Sequence, residues 1–254
     1  MIRVVKRGVV PAKLMGLGQA ENLTNQNLFD LNPVAYIAGA ATFRIRTDIY
    51  NDPMVKKRLR RLQQNKCCFC EKDQTDEFAQ VEHYRPKQGF NRFSGDPLQR
   101  PGYYWLSYSW PNLYFVCGLC NNAKSTAFYL EGEAQRAHNH LESFANERPL
   151  IINPGGDTDP RDHILFKKEV AVGSTLAGNT TIDVCKLNRE SLLISRGKHL
   201  RDLKLLIQYV KKAQNENHPL VQKTKRKLKA SMGKKAIFSA MVSDLISASR
   251  LTLD

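Results

Sequence analysis

Two Cys-x-x-Cys pairs constrain the fold of this chain more than any other feature of its sequence. Cys67 and Cys70 form the first pair, and Cys117 and Cys120 form the second. Four thiolates arranged in two such pairs are the ligand set of a tetrahedral structural zinc site, which leaves no coordination position open for catalysis. The spacing therefore predicts that a zinc ion joins two segments across an insertion of residues 71–116.

The chain has six cysteines, and the alternative to a metal site is a set of unrelated buried thiols. Two independent pairs disfavour that alternative, and in a reducing cytosol the same spacing disfavours a disulfide scaffold. Cys68 is an alternative ligand to Cys67, but it lies one residue too close to Cys70 for the usual pair. We therefore expect Cys68 and Cys185 to be buried as small hydrophobic residues.

The formal net charge of +15 points to a polyanionic partner. Clustered Lys and Arg bind phosphates favourably because they release condensed counterions, so nucleic acid is the expected partner. Two stretches carry much of this charge: a helix beginning at Asp52-Pro53, and residues 198–235, which hold twelve Lys or Arg and two acids. In each stretch the alternative is a solvated helix face without a ligand.

No segment of the sequence has the pattern of a targeting signal or a membrane span. The apolar stretch near the N-terminus is interrupted by Pro11, Lys13 and two glycines. No apolar run approaches the roughly 20 residues that a spanning helix needs. We therefore expect a cytoplasmic protein that makes no membrane contact.

Apolar periodicity and turn signals divide the chain into four segments. Asp52-Pro53 predicts a helix start, because Asp caps helices and Pro fits the first helical position. A short hairpin is expected near Ile164–Val172, and helices are expected from Asn188 onward with a break at His218-Pro219. The predicted segments are an N-terminal arm with helices (1–66), a core holding the cysteine pairs (67–130), a mixed segment of loops and short strands (131–187) and a basic helical region (188–254).

The residues around the cysteine pairs carry a family resemblance. Glu82-His83-Tyr84-Arg85-Pro86-Lys87 lies between the pairs, Trp110-Pro111-Asn112-Leu113 precedes the second pair, and Asn121 follows Cys120. This order of His83, Asn112 and Asn121 resembles the HNH nucleases, in which Asn is a common third member. The strings E-H-Y-R-P-K, Y-Y-W-L-S-Y-S-W-P-N-L, I-I-N-P with D-x-D-P, and L-N-R are similar to the HNH subunit of Septu anti-phage systems, which also occurs as a retron effector. The likeness extends over most of the chain.

The resemblance implies an α+β fold in which a small zinc-stabilised ββα-metal core, within residues 67–130, is embedded in a mostly helical chain. It implies a metal-dependent endonuclease that hydrolyses phosphodiester bonds, with DNA favoured over RNA or tRNA as the substrate. It also implies a partner subunit, an ATPase of the ABC/SMC type, which controls the nuclease during anti-phage defence.

Phosphodiester hydrolysis requires an activated water and a cation that neutralises charge on the phosphate and on the leaving oxygen. His83 suits the role of general base because imidazole titrates near neutral pH. Glu82 and Asn121 offer the hard oxygen ligands that suit Mg²⁺ or Mn²⁺, and the resemblance assigns them that role. Many HNH proteins carry Asp in place of Glu82, so we expect Glu82→Asp to be tolerated.

The same resemblance assigns Asn112 to the catalytic site, where it orients His83 by hydrogen bonding and does not bind the metal. Lys124 follows Asn121 by one helical turn and is the first candidate for contact with a substrate phosphate. Arg85 and Lys87 are further candidates for substrate binding.

Other polar and aromatic clusters have simpler explanations. Trp105 and Trp110 could stack on bases, but we expect them to pack in a core. His138 and His140 lack a Cys or carboxylate partner at metal-binding spacing. Asp159 is expected to cap a helical turn that begins at Pro160.

The rival function is a catalytically inactive, zinc-stabilised subunit that binds nucleic acid or serves in assembly, which the basic charge would support equally well. Such a subunit would bind without cutting. The presence of Glu82, His83, Asn112 and Asn121 together favours the nuclease, because a pure binding module has no need of all four groups.

Overall fold

The computed structural model describes residues 1, 3–75 and 77–253, in which helices and short strands are combined and helices dominate. The helices are α1 (Gln19–Leu31), α2 (Pro33–Ile37), α3 (Thr47–Tyr50), α4 (Pro53–Leu62), α5 (Gly118–Lys124), α6 (Leu176–Val184), α7 (Glu190–Lys212), α8 (Pro219–Ser231) and α9 (Ser239–Ser249). The strands are β1 (Ala79–His83), β2 (Leu113–Cys117), β3 (Ile164–Lys167) and β4 (Val170–Gly173). The expected mixture of helix and strand is confirmed. No helix in this part of the chain has the length and apolarity needed to cross a membrane.

Helix α4 begins where the sequence predicts. The Asp52 carboxylate accepts a hydrogen bond from the Met54 amide at 2.9 Å, and Pro53 is the first helical residue. Val55 and Leu59 are fully buried and pack with Phe115 of β2. The helix therefore lies against one side of the β1–β2 pair and turns its basic residues outward.

Strands β1 and β2 are antiparallel, with Ala79 opposite Cys117 at one end and His83 opposite Leu113 at the other. Every residue of β2 is buried. Successive side chains point to opposite faces of a strand, so Phe115 joins the core beneath α4 while Val116 joins a larger core on the other side. Helix α5 follows β2 directly, which places its first turn beside the end that carries Cys117.

The C-terminal half contains the predicted hairpin and helices. Strands β3 and β4 pair in antiparallel fashion, with Leu165 opposite Val172. The helical break falls at the predicted His218-Pro219, where the His218 side chain accepts a hydrogen bond from the Leu220 amide and Pro219 begins α8. Both expectations are confirmed.

The larger core draws on all four predicted segments, through residues such as Phe43, Tyr104, Ile152 and Leu192. Trp105 and Trp110 are 8% and 6% exposed, which confirms that they pack inside the protein. Cys68 and Cys185 are also buried, as expected for small hydrophobic side chains. The two cores together hold the β1–β2 pair between them, so that its ends are fixed by packing.

Candidate metal centre and active-site cleft

The four cysteines of the two pairs come together, as their spacing predicts. The Sγ atoms of Cys67, Cys70, Cys117 and Cys120 all lie within 4.8 Å of one another, and all four residues are buried. The Sγ atoms of Cys70 and Cys117 are 3.8 Å apart. A tetrahedral zinc ion with Zn–S bonds of about 2.3 Å separates its sulfurs by roughly the same distance. The donor set therefore fits a zinc ion without rearrangement.

The electrostatics of this sulfur cluster also favour a cation. Burial opposes ionisation of Cys67, but hydrogen bonds from Cys117 and Cys120 lower the pKa of the Cys67 thiol to about 5. Hydrogen bonding within the cluster, chiefly with Cys117, raises the pKa of Cys120 far above its usual value. Four buried sulfurs at contact distance cannot all be thiolates without a counter-charge, because the negative charges repel one another. A bound divalent cation supplies that counter-charge.

Arg189 supplies a contact to the cluster that sequence reasoning missed. Its guanidinium donates to the Cys120 sulfur at 3.4 Å and to the Cys117 sulfur at 3.9 Å. The neighbouring Asn188 side chain donates to and accepts from the backbone of Ala171 in β4, both at 2.8 Å. The L-N-R string thus connects the β3–β4 hairpin and the start of α7 to the sulfur cluster. In the sequence, the family resemblance of this string was the only indication that these residues matter.

His83 lies at the end of β1 and is 3% exposed. Its Nε2 is 2.8 Å from the carbonyl oxygen of Ser107. A carbonyl only accepts hydrogen bonds, so Nε2 carries the proton and Nδ1 is left with a free lone pair. Burial, and then the charge of Lys87, hold the pKa of His83 well below its usual value. The imidazole is therefore neutral at neutral pH and can accept a proton.

Glu82 projects to the opposite face of β1, toward α5. Lys124, in the last turn of α5, donates to the Glu82 carboxylate at 2.6 Å and to the His83 carbonyl oxygen at 3.2 Å. Lys124 is fully buried, because the end of α5 packs over β1. The residue expected first at a substrate phosphate thus forms a buried ion pair with Glu82.

Asn121 lies one turn before Lys124 and faces the same side of β1. Its Nδ2 donates to the Oε1 of Gln80, which is two residues before Glu82 and so shares its face of the strand. The Asn121 Oδ1 is buried without a hydrogen-bond partner among the described residues. A buried oxygen without a partner is uncommon and suits a bound water or cation. Because residues i and i+2 of a strand share a face, the position of Glu82 could have pointed to Gln80 in the sequence.

Asn112 joins two backbone segments near His83. Its Oδ1 accepts from the Arg85 amide at 2.8 Å, and its Nδ2 donates to the carbonyl oxygens of Arg85 at 3.0 Å and Leu106 at 3.2 Å. Leu106 directly precedes Ser107, whose carbonyl oxygen binds the imidazole. Asn112 therefore acts on His83 through the backbone on both sides of the ring, and its side chain forms no hydrogen bond with the ring.

A small cleft of about 140 Å³ opens beside His83. Its lining consists of Glu82, His83, Pro86, Lys87, Gln88, Gly89, Ser125 and Thr126. Lys87 also lies 4.8 Å from the centre of the Tyr50 ring, which packs edge-on against His83. Arg85 is turned away from the cleft and forms an ion pair with Glu147 at 2.9 Å. Of the predicted site residues, Glu82, His83 and Lys87 line the cleft, whereas Asn112, Asn121, Lys124 and Arg85 do not.

The remaining polar clusters have structural partners. Asp159 caps the turn at Pro160 by accepting from the Arg161 amide at 2.9 Å, as predicted. His140 is hydrogen-bonded through Nδ1 to the Tyr104 hydroxyl at 2.7 Å. Among residues 1, 3–75 and 77–253, the four cysteines are the one group of His, Cys, Asp or Glu placed to hold a metal by themselves.

Comparison with known proteins supports the resemblance drawn from the sequence. No protein-family model matches the chain. The chain is 36% identical over 164 residues to the Septu protein PtuB of Bacillus mycoides, which covers 62% of this chain and 55% of that protein. It is 27% identical over 170 residues to the Retron Vc95 putative HNH endonuclease of Vibrio cholerae, which covers 67% of this chain and 73% of that protein.

A third match, to the Septu protein PtuA of Bacillus mycoides, is 27% identical over 146 residues and covers 57% of this chain but 20% of that protein. The chain thus spans about half of the matched PtuB and a smaller part of PtuA. The resemblance to Septu and retron HNH proteins is confirmed as a relationship of sequence.

Proposed function

We propose that this chain is a metal-dependent HNH endonuclease that hydrolyses phosphodiester bonds in nucleic acid and acts in anti-phage defence. The names of the similar Septu and retron proteins support the reaction class and the biological setting. The observation that carries the proposal is the state of His83: a buried, neutral imidazole, fixed by the Ser107 carbonyl, at the wall of a cleft shared with Glu82.

His83 is the general base. With Nε2 donating to Ser107, Nδ1 is the atom that takes a proton from the attacking water. Asn112 holds the backbone on both sides of this ring, which keeps the ring orientation fixed during proton transfer. Burial lowers the pKa of His83, so the imidazole is unprotonated at neutral pH and Nδ1 is free to accept a proton.

Glu82 and Asn121 would hold a catalytic Mg²⁺ or Mn²⁺, which when bound supplies charge neutralisation at the phosphate and the leaving oxygen. Both side chains lie on the α5 side of β1, and the unpartnered Oδ1 of Asn121 is a suitable oxygen donor. Lys124 neutralises Glu82 in this structure, so it reaches a substrate phosphate only after leaving that carboxylate. Lys87, at the cleft wall, is the more accessible phosphate contact, and Arg85 would first have to leave Glu147.

The sulfur cluster is assigned to a structural Zn²⁺ held by Cys67, Cys70, Cys117 and Cys120. Its four positions are filled by protein, which leaves none for substrate. Strands β1 and β2 with α5 would then form the ββα-metal core expected from the resemblance. The zinc would fix Cys117 at one end of β2. Pairing of β2 with β1 would then hold His83, which lies opposite Leu113 at the other end of the pair.

The substrate is assigned to DNA in preference to RNA or tRNA, and the partner to an ATPase subunit of the ABC/SMC type, on the family resemblance. The match to a PtuA protein supports a two-subunit Septu-type system. A cytoplasmic location follows from such a role.

The test compares cleavage of end-labelled DNA and RNA by the wild-type chain, His83→Ala and His138→Ala, with Mg²⁺ or Mn²⁺ and with the co-expressed ATPase subunit. We expect the wild type to cut, His83→Ala to bind without cutting, and His138→Ala, an exposed histidine, to behave as the wild type. Equal cutting by His83→Ala would remove His83 from the mechanism. Binding without cutting by every protein, with the ATPase present, would favour the catalytically inactive subunit.

A further inference from the structure

Residues 3–7 form an arm in which exposed and buried side chains alternate, with Arg3, Val5 and Arg7 exposed and Val4 buried. The Val4 amide donates to the Pro154 carbonyl oxygen at 2.7 Å. The Lys6 ammonium donates to the carbonyl oxygens of Trp110 at 2.7 Å and Leu113 at 2.5 Å. Because an extended chain alternates its sides, Arg3 and Arg7 point outward.

The arm is also fastened to α4. The Arg58 guanidinium donates to the Arg7 carbonyl oxygen at 2.8 Å. Gly8 permits this contact, because a Cβ at that residue would lie 2.4 Å from the Arg58 guanidinium and its φ is +85°. With the anchors at Val4 and Lys6, this makes three fixed points within five residues, so the outward side chains start from an ordered backbone.

Two neighbouring basins, one between the arm and the end of α4 and the other on α4 and the turn after it, are together called the arm groove. The first basin, of about 360 Å³, is lined by Arg3, Val4, Val5, Arg7, Arg61, Leu62, Gln63, Gln64, Lys66, Cys67, Cys68 and Lys234. The second, of about 320 Å³, is lined by Lys57, Arg60, Arg61, Gln64 and Asn65. The basins share Arg61 and Gln64, so they are adjacent. None of its described lining residues is acidic, and none also lines the cleft at His83.

Most cations of the arm groove form no ion pair with a described residue; the exception is Lys66, which pairs with Glu71. Within the part of the chain that the structure describes, five exposed groove residues form no ion pair: Arg3, Arg7, Lys57, Arg61 and Lys234. By contrast, Lys124 and Arg85 near the cleft are both paired with glutamates. Five uncompensated positive charges around one groove repel one another, and a multiply charged anion relieves that repulsion.

We propose that the arm groove binds the phosphate backbone of nucleic acid, at a place separate from the cleft; this rests on the proposed nuclease function. Guanidinium groups from the arm and from α4 suit phosphate oxygens, and two adjacent basins suit successive phosphates of one strand. The anchored arm reduces the conformational entropy lost on binding. No aromatic ring is found among the described lining residues, so the groove offers no stacking surface and binds without regard to base sequence.

The first test compares two double variants that each remove two positive charges. Arg61→Gln with Lys234→Gln changes the groove, and Lys167→Gln with Lys168→Gln, at the exposed β3–β4 turn, is the matched control. Binding of a fluorescein-labelled oligonucleotide, without added Mg²⁺, is followed by anisotropy across a salt series. The groove variant should bind roughly tenfold or more weakly and lower the slope of log K against log salt by about 1.4 to 1.8. The control should match the wild type.

A second variant adds charge where the basins meet, so that its effect cannot arise from damage to the fold. Gln64→Lys should tighten oligonucleotide binding and steepen the salt dependence, and Gln64→Glu should do the opposite. Oligonucleotides of unrelated sequence should respond alike. Thermal melting and zinc content of each variant establish that the proteins compared are folded.

The proposal is overturned if the groove and control variants bind equally, with the same salt slope, while the wild type binds and cuts nucleic acid; the nuclease function then stands. A strong preference for one base sequence, lost in the groove variant, would also overturn it. If the wild type neither binds nor cuts nucleic acid, the proposed function and the groove fail together.

Discussion

The two ends of the β1–β2 pair are built in different ways. At the end where Ala79 faces Cys117, four sulfurs are buried at mutual contact distance, and Arg189 closes the outside. At the end where His83 faces Leu113, a cleft of about 140 Å³ opens beside the imidazole. One strand pair thus separates a closed site that stabilises the fold from an open site that suits chemistry, and each end can be perturbed separately.

The largest expected effect is at the sulfur end. Cys117→Ser removes one of four thiolates, and structural zinc contributes about 10–16 kcal/mol of folding free energy in small zinc domains. We expect loss of bound zinc and of the cooperative thermal transition, measured by metal analysis and circular dichroism. Cys68→Ala is the matched control, since Cys68 is equally buried but lies outside the cluster, and it should keep its zinc. A folded, zinc-free Cys117→Ser protein would show that the sulfur end is not what holds the strand pair.

The features that could be predicted from sequence are those written in short, local patterns. The Cys-x-x-Cys pairs gave the sulfur cluster, Asp52-Pro53 gave the start of α4, and His218-Pro219 gave the break before α8. In each case residues close in sequence determine the structure, because helix capping, proline geometry and the spacing of a Cys-x-x-Cys pair all act within about one turn.

What could not be predicted depends on contacts between distant residues. Lys124 and Glu82 are 42 residues apart, and Arg189 and Cys120 are 69 apart. Helical periodicity predicts that Lys124 follows Asn121 by one turn, but it does not predict which face of β1 lies beneath α5. The burial of Lys124 against Glu82 therefore could not be predicted from the sequence. The Ser107 carbonyl that fixes the tautomer of His83 is a backbone atom, which no side-chain pattern marks.

The second expected effect is at the imidazole end. Asn112→Ala removes three side-chain hydrogen bonds and leaves the partly buried amide and carbonyl oxygen of Arg85 without these partners, whereas the Leu106 carbonyl oxygen keeps the Ser109 amide as a donor. The cost should be about 2–4 kcal/mol in the free energy of unfolding, measured by urea denaturation. Zinc content should be unchanged, and cleavage should fall because His83 is held less firmly.

Asn112→Asp is the companion variant: its carboxylate still accepts from the Arg85 amide, but an oxygen replaces Nδ2 against the carbonyl oxygens of Arg85 and Leu106. Because acceptors that face each other repel, its loss of stability should be at least as large as that of Asn112→Ala. If Asn112→Ala also released zinc, the two ends would be coupled through β2 and could not be perturbed separately.

A smaller effect is expected from Arg189, which contacts the sulfur cluster from outside. Arg189→Met keeps much of the side-chain volume and removes the N–H donors to Cys117 and Cys120. Outer contacts of this kind typically change metal affinity 10–100-fold, and for one Arg with long N···S distances we expect about tenfold faster zinc loss to a chelator. Arg189→Lys should recover part of the difference. Unchanged zinc loss in Arg189→Met would mean that the four sulfurs hold the ion without outside help.

The smallest effect should come from Glu82→Asp, which shortens the carboxylate by one methylene and keeps its charge. The ion pair with Lys124, now 2.6 Å, would lengthen but not disappear, so the unfolding free energy should fall by only about 1 kcal/mol in urea denaturation. Glu82→Gln is the informative control, because it leaves the buried Lys124 facing a neutral amide and should cost more. If Glu82→Asp keeps Mg²⁺-dependent cleavage while Glu82→Gln loses it, cleavage depends on the negative charge of the carboxylate and not on the length of the side chain. The open end would then tolerate the adjustment in length that the closed sulfur end does not allow.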